Sequence, residues 1–494
     1  MSHPLSRKMK SIAVAGVAAM AVSACATVPG ANVAPGSPIT AEEAQVGAQY
    51  HEQFVAQFGG EMTGPYASYV DQIGSNIAVQ SGLAQDRNAF DVTLLNSSVN
   101  NAFAVPGGYV YATRQLVNLM NNEAELAAVL GHEVGHVAAR HSARRQAAAQ
   151  RNQIGGVGIA ILSSILLGDN PLGETIARGA LQGSQVLTLS YSRNQELEAD
   201  ALGVQYLKNA GYDPRSMATL LQSLAAQNQL DAQLQGRDNA TIPEWASTHP
   251  DPASRVQNAV QLAGNNTGVT NRDTFLSRID GMIYGDDPEQ GVIEGNQFIH
   301  PMLRFSFTAP QGFYMINSPS AVSINGDAGQ AQLTTGAYNN NLDTYIRSAF
   351  QAIGGEQQQL APSSIERTTV NGLPAAFGTA RVNNGQQQVD VTVFAYEFSA
   401  DQAFHFQAIT PAGQSGTFNS LFSSMRRISA SEAGSVIPRR IDIVTAGGGD
   451  SVASLAQRMA YTDGQEARFR VLNGLSGNDQ VVPGRKYKIV VRAN

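Results

Sequence analysis

Apolar positions recur at helical spacing behind Thr40-Ala41-Glu42-Glu43, a capping-box pattern, so an amphipathic helix is expected from there through about Phe58. A second helix is expected over Pro65 to Gln80. FDVTLLN, Phe90 to Asn96, alternates like a strand. In NAFAVPGGYVYAT, Asn101 to Thr113, two β-rich runs flank Pro106-Gly107-Gly108, which reads as a hairpin or a bent edge strand. Asn122-Glu123 opens a long helix, expected to run through His141 and beyond. The uncharged apolar run from Ile154 to Leu167, about fourteen residues, is too short to cross a membrane and reads as a buried helix or a cover over a groove. Another helix starts near Ser192 and carries NQELEADALGVQYL, and the segment through Ala263 is mostly helical.

The pattern changes after about Asn265. From Phe298 onward come alternating strands (LRFSFTAP, VDVTVFAYEF, AFHFQAIT), Asn/Gln-rich loops and helical stretches such as LDTYIRSAFQAI, which read as a separate α+β domain ending near Ile428. A small last unit runs from Ile437 to Asn494. No internal period marks a solenoid. The 494 residues are too many for one ordinary core. The expected division is an export signal over 1–24, a tether over 25–39, a first domain over 40–265, an α+β domain over 266–430 and a small unit over 437–494, an α+β multidomain architecture.

Composition and charge then exclude some functions. Hydrophobic residues make up 43% and charged ones 14%, with a net charge of -7 and no basic stripe, so nucleic acid is not an expected partner. The single cysteine, Cys25, rules out a disulfide within the chain. It follows Arg7, Lys8, Lys10, the apolar stretch SIAVAGVAAMAV and Val22-Ser23-Ala24, an export signal that resembles a bacterial lipobox. Acylation of Cys25 would anchor the chain to membrane lipid; the plainer reading is an unlipidated signal peptide that contains a cysteine. Ala26 and Thr27 follow without an Asp retention signal, which by lipobox rules implies an outer-membrane lipoprotein facing the periplasm of a Gram-negative bacterium.

Candidate chemistry concentrates in LGHEVGHVAARH, Leu130 to His141. On a helix that advances about 100° per residue, His132 and His136 lie on one face roughly 40° apart, so both imidazoles reach one ion. Glu133 sits one step round, near enough to take a proton from a zinc-polarised water. Leu126, Leu130 and Val137 project to the opposite side and can bury it. His141, nine residues after His132, falls about 180° round the same helix and is expected on its far side, locally hydrogen-bonded. Catalytic zinc usually takes three protein ligands and one water. In YSRNQELEADALG, Glu196 and Asp200 are four apart and share a face, whereas Glu198 points elsewhere. One carboxylate could bind zinc while the other receives a ring N–H from a histidine ligand; the alternative is a charged, solvent-facing helix start.

HEVGH followed about sixty residues later by an ExxxD helix resembles the M48 metallopeptidases, specifically their secreted bacterial branch. The resemblance covers about Ala41 to Ala263 and includes AFAVPGGYVY and STHPDPASR. It implies a mainly helical, gluzincin-type metallopeptidase domain with a small edge-strand sheet. His132, His136 and Glu196 would ligate one Zn2+, with Asp200 behind them. Glu133 would be the general base. His249 would lie beside the zinc, either gating the site as an extra ligand or polarising the substrate carbonyl, and Arg255 would buttress its turn; the plain alternative for His249 is a turn residue before Pro250. Substrate would pair with the edge strand through Asn101, Ala102, Phe103, Ala104, Pro106 and Gly107. Farther on, GGDSVASLAQRM, FRVLNGL and VVPGRKYKIVV resemble a LysM-like βααβ unit, a module that in its family binds peptidoglycan. The expected activity is zinc-dependent cleavage of unfolded or misassembled envelope proteins. The rivals are an envelope chaperone or scaffold lipoprotein with a latent or silent zinc site, and a structural zinc protein.

Overall fold

A computed structural model describes residues 33–151, 191–234, 249, 252–354, 360–383 and 388–493. Cys25 and the apolar run Ile154 to Leu167 lie outside the described residues. No helix among the described residues is long and apolar enough to cross a membrane.

The first body is built around one buried helix. Helix α1 (Ala41–Gln57) starts at a complete Thr40–Glu43 capping box, and α2 (Pro65–Ala78) starts with proline at its first turn. Strands β1 (Asp91–Leu95), β2 (Ala102–Val105) and β3 (Tyr109–Thr113) form a sheet of order β1-β3-β2, with β1 parallel and β2 antiparallel to β3. Strand β2 is therefore an edge. Gly107 and Gly108 make its tight turn at φ 97° and 91°, a region that side-chain-bearing residues avoid. After α3 (Arg114–Leu119), helix α4 (Glu123–Ala138) runs through the core with every residue but Val137 buried.

Helix α4 stops earlier than expected. Arg140 adopts the left-handed conformation, φ 51°, and a new helix, α5 (His141–Arg151), starts after it. Neither Gly nor Pro marks this break. Tertiary contacts impose it: the buried Arg140 guanidinium binds Glu43 at 3.1 Å and the carbonyls of Ala34, Ser37 and Pro38. Those bonds, with Gly36 N donating to Ala138 O at 2.8 Å, also fasten the end of the expected flexible tether to the body. Helices α6 (Arg193–Asn209), α7 (Ser216–Leu234), α8 (Pro252–Ala263) and α9 (Arg272–Ile279) complete it, α9 adding Phe275, Leu276 and Ile279 to the core.

The second body centres on an antiparallel seven-stranded sheet of order β11-β12-β13-β14-β10-β9-β8. In chain order these are β8 (Tyr314–Asn317), β9 (Val322–Gly326), β10 (Gly329–Thr335), β11 (Ile365–Val370), β12 (Leu373–Asn383), β13 (Gln388–Ser399) and β14 (Gln402–Pro411). Helix α10 (Leu342–Gly354) covers one face through Ile346, Phe350 and Ile353. The other face packs its phenylalanines against a four-stranded sheet, β5 (Val292–Glu294), β6 (Gln297–His300), β7 (Phe305–Thr308) and β15 (Arg426–Arg427).

The last unit has the order strand, helix, helix, strand: β16 (Arg439–Thr445), α11 (Val452–Ala456), α12 (Gln465–Leu472) and β17 (Lys486–Arg492). Strand β4 (Ile283–Tyr284) extends its sheet from the connection between the first two bodies. This unit docks through a buried charge. Lys488 Nζ donates to the carbonyls of Asn118, Leu119 and Met120, capping the end of α3. Glu125, which caps α4 by accepting from Asn121 N, is its charge partner.

Candidate metal centre

Helices α4 and α6 cross closely because small residues face each other. A Cβ on Gly135 would lie 3.1 Å from the Ala199 carbonyl, and one on Gly203 would lie 2.7 Å from Met217 Cε and 3.2 Å from His132 N. Spacing places His132 and His136 on one face and Glu196 and Asp200 on the other; the close crossing makes them meet. His132 Nε2 is 3.0 Å from His136 Nε2 and 3.6 Å from Glu196 Oε2, and His136 Nε2 is 3.4 Å from Glu196 Oε1. His249 enters from beyond α7, with Nδ1 3.2 Å from His132 Nε2 and 3.1 Å from Glu196 Oε1. One ligand atom from each of His132, His136, Glu196 and His249 lies within 4.8 Å of the others.

This donor set fits zinc, which favours imidazole nitrogen and carboxylate oxygen. The proton positions fit as well. Asp200 Oδ1, 3.0 Å from His132 Nδ1, can only accept, so that ring keeps its proton on Nδ1 and turns the lone pair of Nε2 into the cluster. Glu133 Oε1 is buried and has no hydrogen-bond partner among the described residues; His249 Nε2 lies 3.4 Å from it.

The electrostatics separate the carboxylates by task. Burial pushes the Glu133 carboxyl above its ordinary range, against the pull of His249 and His132. Burial would do the same to Glu196, but His249 overcomes it and holds the group ionised. Asp200 is likewise held low, against burial, by Arg255 and His132. Arg255 donates from Nε to Asp200 at 2.8 Å, and its Nη1 lies 2.5 Å from Glu196, so one buried cation serves both carboxylates. Burial would lower the His249 pKa, yet Glu196 and Glu133 raise it; for His136 burial prevails and the ring is held neutral.

Strand β2 carries Ala102, Phe103 and Ala104 on an edge of its sheet among the described residues, with Asn101 tied at its start by Asn101 N donating to Thr113 Oγ1 at 3.0 Å. Pro106 and Gly107 form the turn into β3; a Cβ on Gly107 would meet the Glu43 carbonyl at 2.6 Å. Phe103 stacks on Tyr111 at 4.6 Å, so α1 and the hairpin share an aromatic cluster that holds the edge in place.

Two neighbours of the cluster did not follow from spacing. His141 is not on the far side of α4: the break at Arg140 turns it back, with Nδ1 2.9 Å from His136 Nδ1 and Nε2 3.0 Å from Glu198. It stays outside the four-residue cluster. Tyr191 stacks on His136 at 3.8 Å, and its hydroxyl meets Ser142 Oγ. The only sequence signal for Tyr191 was its place just before the ExxxD helix.

An HExxH helix crossed by a glutamate-bearing helix, with a buried charge network behind both, defines a zinc-metallopeptidase type of centre. Residues 66–263 match Peptidase family M48. The β-barrel assembly-enhancing protease of Yersinia pestis is 35% identical over 227 residues, 44% of this chain and 44% of that protein. Its counterpart from Escherichia coli K12 is 30% identical over 238 residues, 47% of this chain and 46% of that protein. The mitochondrial metalloendopeptidase OMA1 of Arabidopsis thaliana is 32% identical over 167 residues, 34% of this chain and 30% of that protein. The chain spans less than half the length of each of these relatives.

Proposed function

We propose that the chain is a zinc-dependent endopeptidase that hydrolyses peptide bonds in unfolded or misassembled cell-envelope proteins. The observation that carries this reading is the convergence of His132, His136 and Glu196 beside Glu133, whose Oε1 accepts no hydrogen bond among the described residues. Bound there, zinc would polarise the scissile carbonyl and acidify a water. An extended substrate segment pairs with the open edge of β2 through backbone hydrogen bonds, which are indifferent to sequence and suit unfolded chains. Glu133, its proton affinity raised by burial, takes the water's proton and returns it to the leaving amine. Asp200 fixes the His132 ring, and Arg255 neutralises Asp200.

Relatives named as enhancers of β-barrel assembly support an envelope substrate. The rest of the reading rests on sequence features: export through the N-terminal signal, acylation at Cys25, an outer-membrane position and peptidoglycan contact through a LysM-like 437–494 unit. The strand-helix-helix-strand order of that unit supports the last of these. A latent form of the same enzyme is favoured by two distances: His249 Nδ1 is close enough to His132 and to Glu196 to complete a closed four-residue set.

The test is Glu133→Gln in zinc-loaded protein. Casein cleavage should fall by roughly 10²–10⁴-fold while zinc content stays at wild-type level. Wild-type cleavage by the variant would overturn the mechanism. In parallel, His249→Ala should change the ratio of resting to stimulated activity without emptying the zinc site; an unchanged ratio removes His249 from gating.

A further inference from the structure

We propose that His141 and Glu198 form a positioning relay behind His136, fixing that ring's tautomer and aim toward the metal. The inference rests on the zinc site and deepens it. Glu198 accepts at Oε2 from His141 Nε2, 3.0 Å away, and Arg144 Nη1 holds the same oxygen at 3.1 Å. A carboxylate between two donors does not donate, so the proton of His141 sits on Nε2. Its Nδ1 is then a lone pair, and the short contact to His136 Nδ1, 2.9 Å, requires that His136 be the donor. With its proton on Nδ1, His136 has only Nε2 left for a metal, and Nε2 is the atom that faces Glu196 and His132.

The two histidine ligands are therefore braced differently. His132 leans directly on a buried carboxylate, Asp200, whose charge Arg255 neutralises. His136 leans on a neutral imidazole that passes the interaction on to Glu198, whose side chain is 41% exposed. The route exists only because Arg140 breaks the helix: an unbroken α4 would aim His141 away from the ion. Glu43, ninety-seven residues earlier, holds that break and so belongs to the support of the site.

The rival explanation is that His141, which is fully buried, fills space. Two substitutions separate the ideas. His141→Gln keeps an acceptor toward His136 and a donor toward Glu198; His141→Leu keeps bulk and loses both. Zinc affinity is measured by competition with a chelating dye, and the ligand field by the visible absorption of the cobalt-substituted protein; neither requires proteolysis. The relay predicts a roughly 10–100-fold loss of zinc affinity and a shifted cobalt band for His141→Leu, with His141→Gln close to wild type in both. Glu198→Ala, a change at a half-exposed side chain, should give a smaller loss in the same direction and guards against misfolding of the Leu variant. Equal zinc affinity in wild type, His141→Leu and Glu198→Ala would overturn the relay and leave the enzyme reading standing. A wild-type chain that bound no zinc would overturn both. Zinc binding that survived without casein cleavage would overturn the enzyme reading alone.

Discussion

The metal centre and the seven-stranded sheet both bury polar side chains, in opposite manners. Around the centre the buried groups are charged or chargeable: Glu133, Glu196, Asp200 and Arg255 are each no more than 1% exposed, with His132, His136 and His249 among them. Along the sheet the buried polar groups are mostly neutral, such as Gln332, Thr392 and Gln407, and these have neutral partners: Gln407 Nε2 donates to Gln332 Oε1 at 2.7 Å, and Thr379 meets Thr392 at 2.9 Å. A buried charge is costly and must be paired, whereas a neutral pair is satisfied by one hydrogen bond. Of the deepest charged residues, Glu133, Glu196, Asp200 and Arg255 sit where a cation and a reacting bond would need them, while Arg114 and Lys488 bind backbone carbonyls elsewhere. The sheet needs only to be packed.

Removing the shared cation should break the first half of this contrast. Arg255→Met leaves Asp200 and Glu196 as uncompensated buried carboxylates, and apo-protein stability should drop by about 3–5 kcal/mol in denaturant unfolding. Zinc should recover part of the loss, because the ion replaces the missing charge beside Glu196. A variant as stable as wild type would mean that the carboxylates hold each other by sharing a proton, not through the arginine.

A smaller loss is expected from the apolar side of the comparison. Phe406, fully buried, meets Phe307 at 5.1 Å, Tyr396 at 6.0 Å and Phe422 at 5.9 Å. Phe406→Ala should cost the second body about 3 kcal/mol through the cavity it leaves. Zinc affinity should not change. A fall in zinc affinity would show that the sheet's packing reaches the metal centre, and the two regions could no longer be treated separately.

These contrasts were unequally legible in the sequence. Spacing alone placed His132 with His136, and Glu196 with Asp200, on one face of their own helices, since i,i+4 geometry is local; that the two faces meet was implied only by the family resemblance. The β2 edge was legible too, from alternation interrupted by Pro106-Gly107-Gly108. The break at Arg140 was not, because its cause lies at Glu43 and in the carbonyls of 34–38, contacts that only the folded chain creates. The burial of Lys488 was not legible for the same reason: within KYKIVV it is fully buried against the carbonyls that end α3. Residues whose surroundings come from the next helical turn can be read from a string of letters; residues whose partner sits hundreds of positions away cannot.

The finest test of the comparison is acid. The sheet's buried groups are mostly neutral by choice of residue; Asp390, paired with Arg381, and His405 are titratable exceptions. Burial lowers the His405 pKa to about 4, and its Nδ1 meets Tyr345 Oη at 2.9 Å. The unfolded histidine titrates near 6.5. Between those values the unfolded chain binds a proton that the folded sheet refuses, so stability falls as pH drops from about 6.5 to about 4 and levels off below. The effect is on the order of 2–3 kcal/mol. His300 shifts in the same direction, also by burial and also to about 4, but it is less enclosed and adds less. Other ionisable groups contribute to total stability as well, so total stability would not isolate the sheet. The difference between wild type and His405→Gln does, because the substitution removes the titrating group and leaves a side chain able to bond Tyr345. That difference should move against wild type as the pH falls through this window. A flat difference would mean that His405 takes its proton in place, and that the sheet tolerates a buried charge as the metal centre does.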